Sequence, residues 1–286
     1  MSAVPGSLAR SGWRTAVSLP LAGRVWFFFV VLWLAIAVLG ASIAPYDVGA
    51  VVSPDVFGPL SAAYPLGTDY LGRDMLSRVL YAGRFTVGLA LVAALAASFT
   101  GTTLALVAAT AGGWTDEVVS RLMDAFISIP SKMLALVMVA AFGSSVGLLI
   151  LTAALSYTPG AFRIARSLAV NVKTLEYVQA ARARGEGLAY IAAVEILPNM
   201  VNPMLADFGL RFVFVVLLLS GMSFLGLGVQ PPTPSWGMMI SDGRDFLYEA
   251  PWMVLGPGVA ILCTSIGINL FGDFLRDTYD PRLERP

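Results

Sequence analysis

The chain has 286 residues, of which 57% are apolar and 13% charged, with no net formal charge; soluble domains carry about 25% charged residues, and a mean hydropathy of +0.78 points instead to a membrane protein. Neutral charge gives no footing for nucleic acid, and the absence of histidine excludes His-based zinc sites, Ser-His-Asp triads and histidine proton relays. Cys263 is the single cysteine, a small core hydrophobe by its apolar surroundings, and the only lysines, Lys132 and Lys173, follow no Gly-rich phosphate loop, so the Walker signature of an ATPase is absent.

Residues 1–24 form an N-terminal tail. Val25–Ala44 is uncharged and long enough to cross a hydrocarbon core of about 30 Å. It exceeds the apolar core of a cleaved signal peptide, so it is expected to stay as an anchor. Pro45–Gly83 is a turn-rich loop, acidic at first, whose part Asp69–Gly83 is expected to form a short surface helix. Phe85–Ala111 is a second span, long enough to tilt. A brief turn over Gly112–Val119 leads to a third span, Leu122–Phe142, apolar apart from Asp124 and Lys132. Only Gly143-Ser-Ser145 separates it from Val146–Phe162, which carries Pro159 near its end. Arg163–Pro203 is a long polar loop. Phe212–Val229, with a helix start near Met204, is the fifth span. Gln230–Pro251 opens with Pro231-Pro-Thr-Pro234, a run that favours an extended strut. Trp252–Phe271 is the sixth span. The expected fold is an all-α membrane domain of six transmembrane helices with no internal repeat.

Basic residues favour the cytoplasmic side in short loops. With the N-terminus inside, the inside segments hold Arg10, Arg14, Arg24, Arg163, Arg166, Lys173, Arg182, Arg184, Arg276, Arg282 and Arg285. The outside loops hold only Arg73, Arg78, Arg84 and Arg244. Both termini are therefore expected in the cytoplasm.

The inside loop 163–203 has a pattern of its own. Thr174 is placed to cap a helix whose first turn holds Glu176, where the dipole favours negative charge. Ala180, Ala181 and Ala183 let its backbone lie close to a partner, with Arg182 and Arg184 at the rim. Gly185 and Gly187 break the helix. A second helix, Leu188–Ile196, runs to Pro198, expected to end or kink it. By itself this pattern fits either a helix seated in another protein or a solvated connector.

Five ordered segments carry a specific resemblance. They are Pro65-Leu-Gly-Thr-Asp-Tyr-Leu-Gly-Arg-Asp-Met-Leu-Ser-Arg78; Asp116-Glu117 with Arg121, Asp124 and Ile129-Pro130; the loop Tyr177–Pro198; Ser223-Phe-Leu-Gly-Leu-Gly-Val-Gln-Pro-Pro-Thr-Pro-Ser-Trp-Gly237; and Asn269-Leu-Phe-Gly-Asp273 with Leu275-Arg-Asp277 and Asp280-Pro-Arg-Leu283. From about residue 64 to 283 the chain resembles the permease subunits of bacterial ABC importers for dipeptides, oligopeptides and nickel, in particular the second permease of each pair. The resemblance implies a type I importer permease fold, with a channel domain over 84–273 preceded by a first helix and outer loop over 25–83 and followed by a cytoplasmic tail, 274–286. It implies residence in the bacterial inner membrane and a complex with a second homologous permease, two cytoplasmic ABC ATPases and an extracytoplasmic substrate-binding protein. ATP and magnesium would be bound by those ATPases, with no cofactor in this chain. The loop would be a coupling helix that seats in one ATPase, carried by Gln179, Ala180, Ala181, Arg182, Gly185, Leu197 and Pro198. Gln179 stands where the family commonly has Glu, Glu195 where the peptide branch often has His, and apolar Leu219 near a position that is often acidic.

Ionisable groups at membrane depth are costly and mark possible sites. Asp124 and Lys132, with Asn269 in the last span, are candidates for the channel or gate; the competing reading is that Lys132 pairs with Asp124 or snorkels to the inner interface. Asp207 and Arg211, four residues apart, are spaced for a structural ion pair. Arg73, Asp74 and Trp236 are candidates for docking the binding protein, although tryptophan is also a common interfacial anchor. Asp242, Arg244, Asp245 and Glu249 read as a solvated face. An ion-gradient carrier would need inverted repeats and buried midplane acids, which the sequence lacks, and a membrane enzyme would need a nucleophile or metal cluster. Dipeptides, longer peptides, nickel complexes, haem and glutathione all remain open as substrates.

Overall fold

The computed structural model describes residues 38–278 together with Phe28, Val31, Leu32, Ala35 and Ile36, with side chains placed as far as Gly272. The span expected over 25–44 thus lies only partly within the described residues; those described within it are helical up to Ile43. Its Gly40 is buried against the backbone of Leu80.

Asp74 starts helix α1, Met75–Ala111, by accepting hydrogen bonds from Ser77 N–H at 2.8 Å and Ser77 Oγ–H at 2.6 Å, the usual work of an Asp N-cap. No proline interrupts the next 37 residues, so the short surface helix expected over 69–83 is instead the first turns of the second span. Gly112 and Gly113, both at positive φ, end α1. The turn expected over 112–119 shrinks to Gly112, because α2, Gly113–Ile127, begins at once with Asp116 in its first turn.

The third expected span is broken. α2 and α3, Ser131–Phe142, meet at 82° across Ser128-Ile129-Pro130. Proline brings no N–H and pushes its predecessor out of the α region, and Ser128 Oγ turns back to the Ala125 carbonyl at 2.7 Å. Ser145 caps α4, Val146–Lys173. This helix overruns its expected end at Phe162 because Ala161, Ala165 and Ala169 continue it and nothing breaks it before Lys173. α5 is Glu176–Ala183. α6 spans Leu188–Phe224, with a π-helical stretch over Ile191–Ile196. α7 is Trp236–Gly243, and α8 is Trp252–Thr278. The Pro231–Pro234 run is a turn, not the extended strut expected, because Ser235 and Trp236 fold back into the bundle.

Among the described residues, four helices, α1, α4, α6 and α8, are long and apolar enough to cross a membrane, and a fifth span results if α2 and α3 count as one bent crossing. α1 and α4 form the tightest pair: a Cβ on Gly101 would sit 2.6 Å from Ala161 Cβ, and Thr100 and Thr158 hydroxyls meet at 2.9 Å. Small residues at such a crossing let helix backbones approach where lipid gives no hydrophobic drive. One buried cluster, centred on Met75, Val79, Phe212, Trp236 and Met253, fills the bundle toward the N-terminus of α1. A second, with Leu106, Met123, Phe162, Val178, Ile196 and Met200, fills the end where α1 stops and α5 packs.

Candidate functional site

The α5 segment is built as a short, tightly closed helix. Leu175 is its N-cap residue. Thr174, expected in that role, instead closes α4, its hydroxyl donating to the Asn171 carbonyl at 2.7 Å. Glu176 does lie in the first turn. At the other end Gly185 takes φ +83°. Its N–H bonds the Arg182 carbonyl at 2.9 Å and Glu186 N–H bonds the Ala181 carbonyl at 3.2 Å, the two bonds of a Schellman stop. Val178 and Ala181 are fully buried, whereas Gln179, Ala180 and Gly185 are exposed. The helix thus glues one face to the bundle and offers the other. Gln179 Nε2 donates to the Lys173 carbonyl at 2.8 Å. A carboxylate could not make that bond, which gives the amide at this position a local reason.

Arg182 is half-buried and donates to the Thr110 carbonyl at 3.4 Å; beside it, Lys173 Nζ donates to the Ala109 carbonyl at 2.5 Å. Leu197 N–H bonds Ala192 five residues back, the wide turn of a π-helix. That turn lets the chain pass Pro198, which has no N–H to give, so Pro198 does not end the helix but sits in the first α-helical turn after the π-stretch, within α6. Leu197 is half-buried and Pro198 exposed. Glu195 receives Arg184 at 3.9 Å. Burial, with Glu195 next to it, pushes the Tyr177 phenol above its ordinary value of 10.0.

Asp124 and Lys132 lie on either side of the break in the third span. Both are exposed and no ion pair joins them, so the expected pairing is not formed. Lys132 lies in the first turn of α3; its neighbours Pro130 and Ser131, but not Lys132 itself, line an open cleft of about 730 Å³ with Phe126, Tyr157, Gly160 and Arg163. Asp124 borders a second cleft of about 310 Å³ with Arg163, Arg166 and Asn171. Arg166 holds Asp116 through two bonds of 2.5 and 2.6 Å. The Asp207–Arg211 pair forms as the spacing suggests, at 2.6 Å, and Arg211 also donates to the Tyr157 carbonyl at 2.6 Å. Asn269 is half-buried on α8.

At the N-terminal end of α1 the charges are internal. Asp69, fully buried, accepts the N–H groups of Leu71 and Arg73 at 2.8 and 2.9 Å, the Arg73 guanidinium at 2.7 Å and the Arg78 guanidinium. Arg78 reaches on to Asp242 at 4.0 Å. Burial pushes the Asp242 carboxyl above the ordinary 3.8, against the pull of Arg78 and Arg73. Asp74 and Trp236 are buried too: Trp236 donates its indole N–H to the Val79 carbonyl at 2.9 Å and its backbone N–H to Thr86 Oγ1 at 3.1 Å. Neither side chain offers surface to a docking protein, because each is consumed in starting or bracing α1. Arg73 keeps some exposure. Asp242 likewise leaves the solvated face expected for it, while Arg244 and Asp245 stay exposed and pair with each other at 3.2 Å. Sequence reasoning passed over Asp69, Arg78 and Lys173. Only the third, the last residue of α4 beside a glycine-ended helix, left a local signal.

A family profile described as "Binding-protein-dependent transport system inner membrane component" matches residues 101–285. The chain is 38% identical over 227 residues to the dipeptide transport system permease protein DppC of Alkalihalophilus pseudofirmus, the match covering 79% of this chain and 74% of that one. It is 34% identical over 263 residues to DppC of Haemophilus influenzae, covering 90% and 89%. It is 35% identical over 258 residues to the glutathione transport system permease protein GsiD of Pectobacterium atrosepticum, covering 90% and 85%. Among solved structures, a chain from the inward-facing MetNI methionine ABC transporter superposes with a TM-score of 0.61 at 15% identity, covering 72% of this chain and 98% of that chain. That likeness is one of fold.

Proposed function

Because the chain belongs to the binding-protein-dependent transport inner-membrane components, we propose that it forms half of a peptide-import channel and takes its power from a separate ATPase through α5. Membership makes it a multi-pass membrane permease subunit of an ABC importer, a class that works with ATPase and substrate-binding partners. The finer reading is a heterodimeric channel: this chain and a second homologous permease, two ATPases below and the binding protein outside. ATP and magnesium belong to the ATPases. Both termini and the 163–203 loop then lie in the cytoplasm, in accord with the distribution of Arg and Lys, and 84–273 is the channel domain.

The single observation behind the coupling role is the construction of α5. Its buried Val178 and Ala181 fasten it to the bundle, and its exposed Gln179-Ala180 edge is left for a partner. A short rigid helix on a bistable bundle is the means by which closure of a motor is converted into a switch of access. Di- and oligopeptides are the favoured cargo because relatives over most of the chain carry peptide names. Glutathione, itself a tripeptide, is the second reading, on the strength of the GsiD match.

The test is uptake by the complete importer in proteoliposomes. Labelled dipeptide should enter only with ATP and all partners present. Uptake that persists without the ATPase would refute the coupling. The ligand that co-purifies with the partner binding protein decides between dipeptide and glutathione.

A further inference from the structure

We infer that Arg182 of α5 and Lys173, the last residue of α4 whose carbonyl holds Gln179 of α5, are positioning residues that together clamp α5 and the end of α4 to the C-terminus of α1, so that displacement of α5 travels to the opposite end of the bundle along one rigid helix. The inference rests on the proposed coupling role of α5 and adds the route by which its motion leaves.

The last four carbonyls of a helix have no donor within it and carry the negative end of its dipole. In α1 the first of these, Ala108, accepts Gly112 N–H at 2.9 Å. The next two accept cations from other elements. Ala109 takes the Lys173 ammonium, from the end of α4, and Thr110 takes the Arg182 guanidinium, from α5. These donors lie 64 and 72 residues further along the chain. Three elements therefore meet at one helix end. Val178 of α5 shares a buried cluster there with Ala105, Leu106, Ala108 and Ala109 of α1.

Three connections lead out of α5. One covalent connection runs back through Thr174 and Leu175 into α4, which holds Pro159 mid-helix; the other enters α6 through Gly185, Gly187, the π-helical turn and two prolines, Pro198 and Pro203. Glycines, π-turns and prolines are where helices yield. The clamped route enters α1, which holds Gly83, Gly88 and Gly101 yet runs 37 residues as one unbroken α-helix with neither proline nor π-turn, about 55 Å at 1.5 Å per residue. At its far end α1 is tied by Trp236 to Val79 and Thr86, and by Arg78 to Asp69 and Asp242. The stiffer route is the non-covalent one.

The test uses the complete importer in proteoliposomes, with Cys263→Ser and spin labels on the exposed positions of Ala111→Cys and Ala183→Cys. In the otherwise native chain the label distance should change by less than about 2 Å between nucleotide-free and ATP-trapped states, since clamped elements move as one. A change of more than about 5 Å, one helical turn, overturns the clamp. In Arg182→Gln with Lys173→Gln the distance distribution should broaden and uptake per ATP fall about tenfold, within the usual range of a lost coupling, while ATPase turnover continues. Arg182→Lys, which keeps a cation, should recover the narrow distribution. Full uptake per ATP in the double variant also overturns the clamp. Failure of the underlying coupling reading looks different: the ATPase would then neither cross-link to Gln179→Cys nor respond to any change in α5.

Discussion

The two ends of α1 are held by opposite charges and to opposite degrees. At the N-terminus buried carboxylates, Asp74 and Asp69, serve the helix start and two arginines. At the C-terminus half-buried cations, Lys173 and Arg182, serve neutral carbonyls. A buried ion pair is strongly punished when one partner leaves, because the other is stranded. A cation on a helix-end carbonyl near water loses little and can be remade. The first joint is thus costly to break and the second adjustable by substitution at little cost to stability, though both hold while the helix is driven from one end and braced at the other.

Removing the joint should have the largest effect. Asp69→Ala strands Arg78, whose side chain is 6% exposed, at roughly 3–5 kcal/mol. Little folded protein should survive extraction, read by size-exclusion after heating; a melting point like the native one would show that the charges were never dependent on each other. Trp236→Phe keeps most of the ring but removes the indole bond that the Val79 carbonyl accepts besides its helical one, about 0.5–1.5 kcal/mol, and should lower the apparent Tm by a few degrees without abolishing uptake. No shift would mean that the indole N–H bond is not part of the brace.

At the adjustable end the effect should fall on coupling rather than stability. Gly185→Val forces a β-branched residue into left-handed backbone at about 1–2 kcal/mol, yet no atom crowds the site. The subunit should assemble and hydrolysis continue, while uptake per ATP drops several-fold; Gly185→Asn, which tolerates this conformation, should be much milder. Equal uptake by Val and Gly proteins would remove the Schellman stop from the mechanism.

The smallest effect concerns Asp242. Burial raises its folded pKa above 3.8, so the fold favours the neutral form. Its contribution is fully present below the unfolded pKa and is lost as pH rises through the folded one. Acidification from neutrality should therefore stabilise the native protein relative to Asp242→Asn by a degree or two of Tm at most, because the group is partly solvated. A difference that widens in the opposite direction would reverse the assignment.

What the sequence made legible was local. The i, i+4 spacing announced the Asp207–Arg211 pair, Gly143-Ser-Ser145 announced a break, and Gly185 announced the stop of α5. Contacts that close over long separations left no such mark. Lys173 finds Ala109 and Trp236 finds Val79 only after the spans have packed, so one escaped notice and the other was misplaced at the surface. The two prolines act differently because the effect of each depends on the turn before it. Pro130 follows an α-helical turn and bends the third span, whereas Pro198 follows a π-turn that already leaves room for a missing N–H.

The claim on which the rest depends is that α5 seats on a separate ATPase. Disulfide cross-linking between Gln179→Cys, in a Cys263→Ser background, and single cysteines along the ATPase surface tests it most directly. The account predicts one narrow patch of efficient cross-links whose formation halts ATP-driven uptake and whose reduction restores it. Cross-links scattered without preference, or uptake that proceeds with the bond closed, would contradict it.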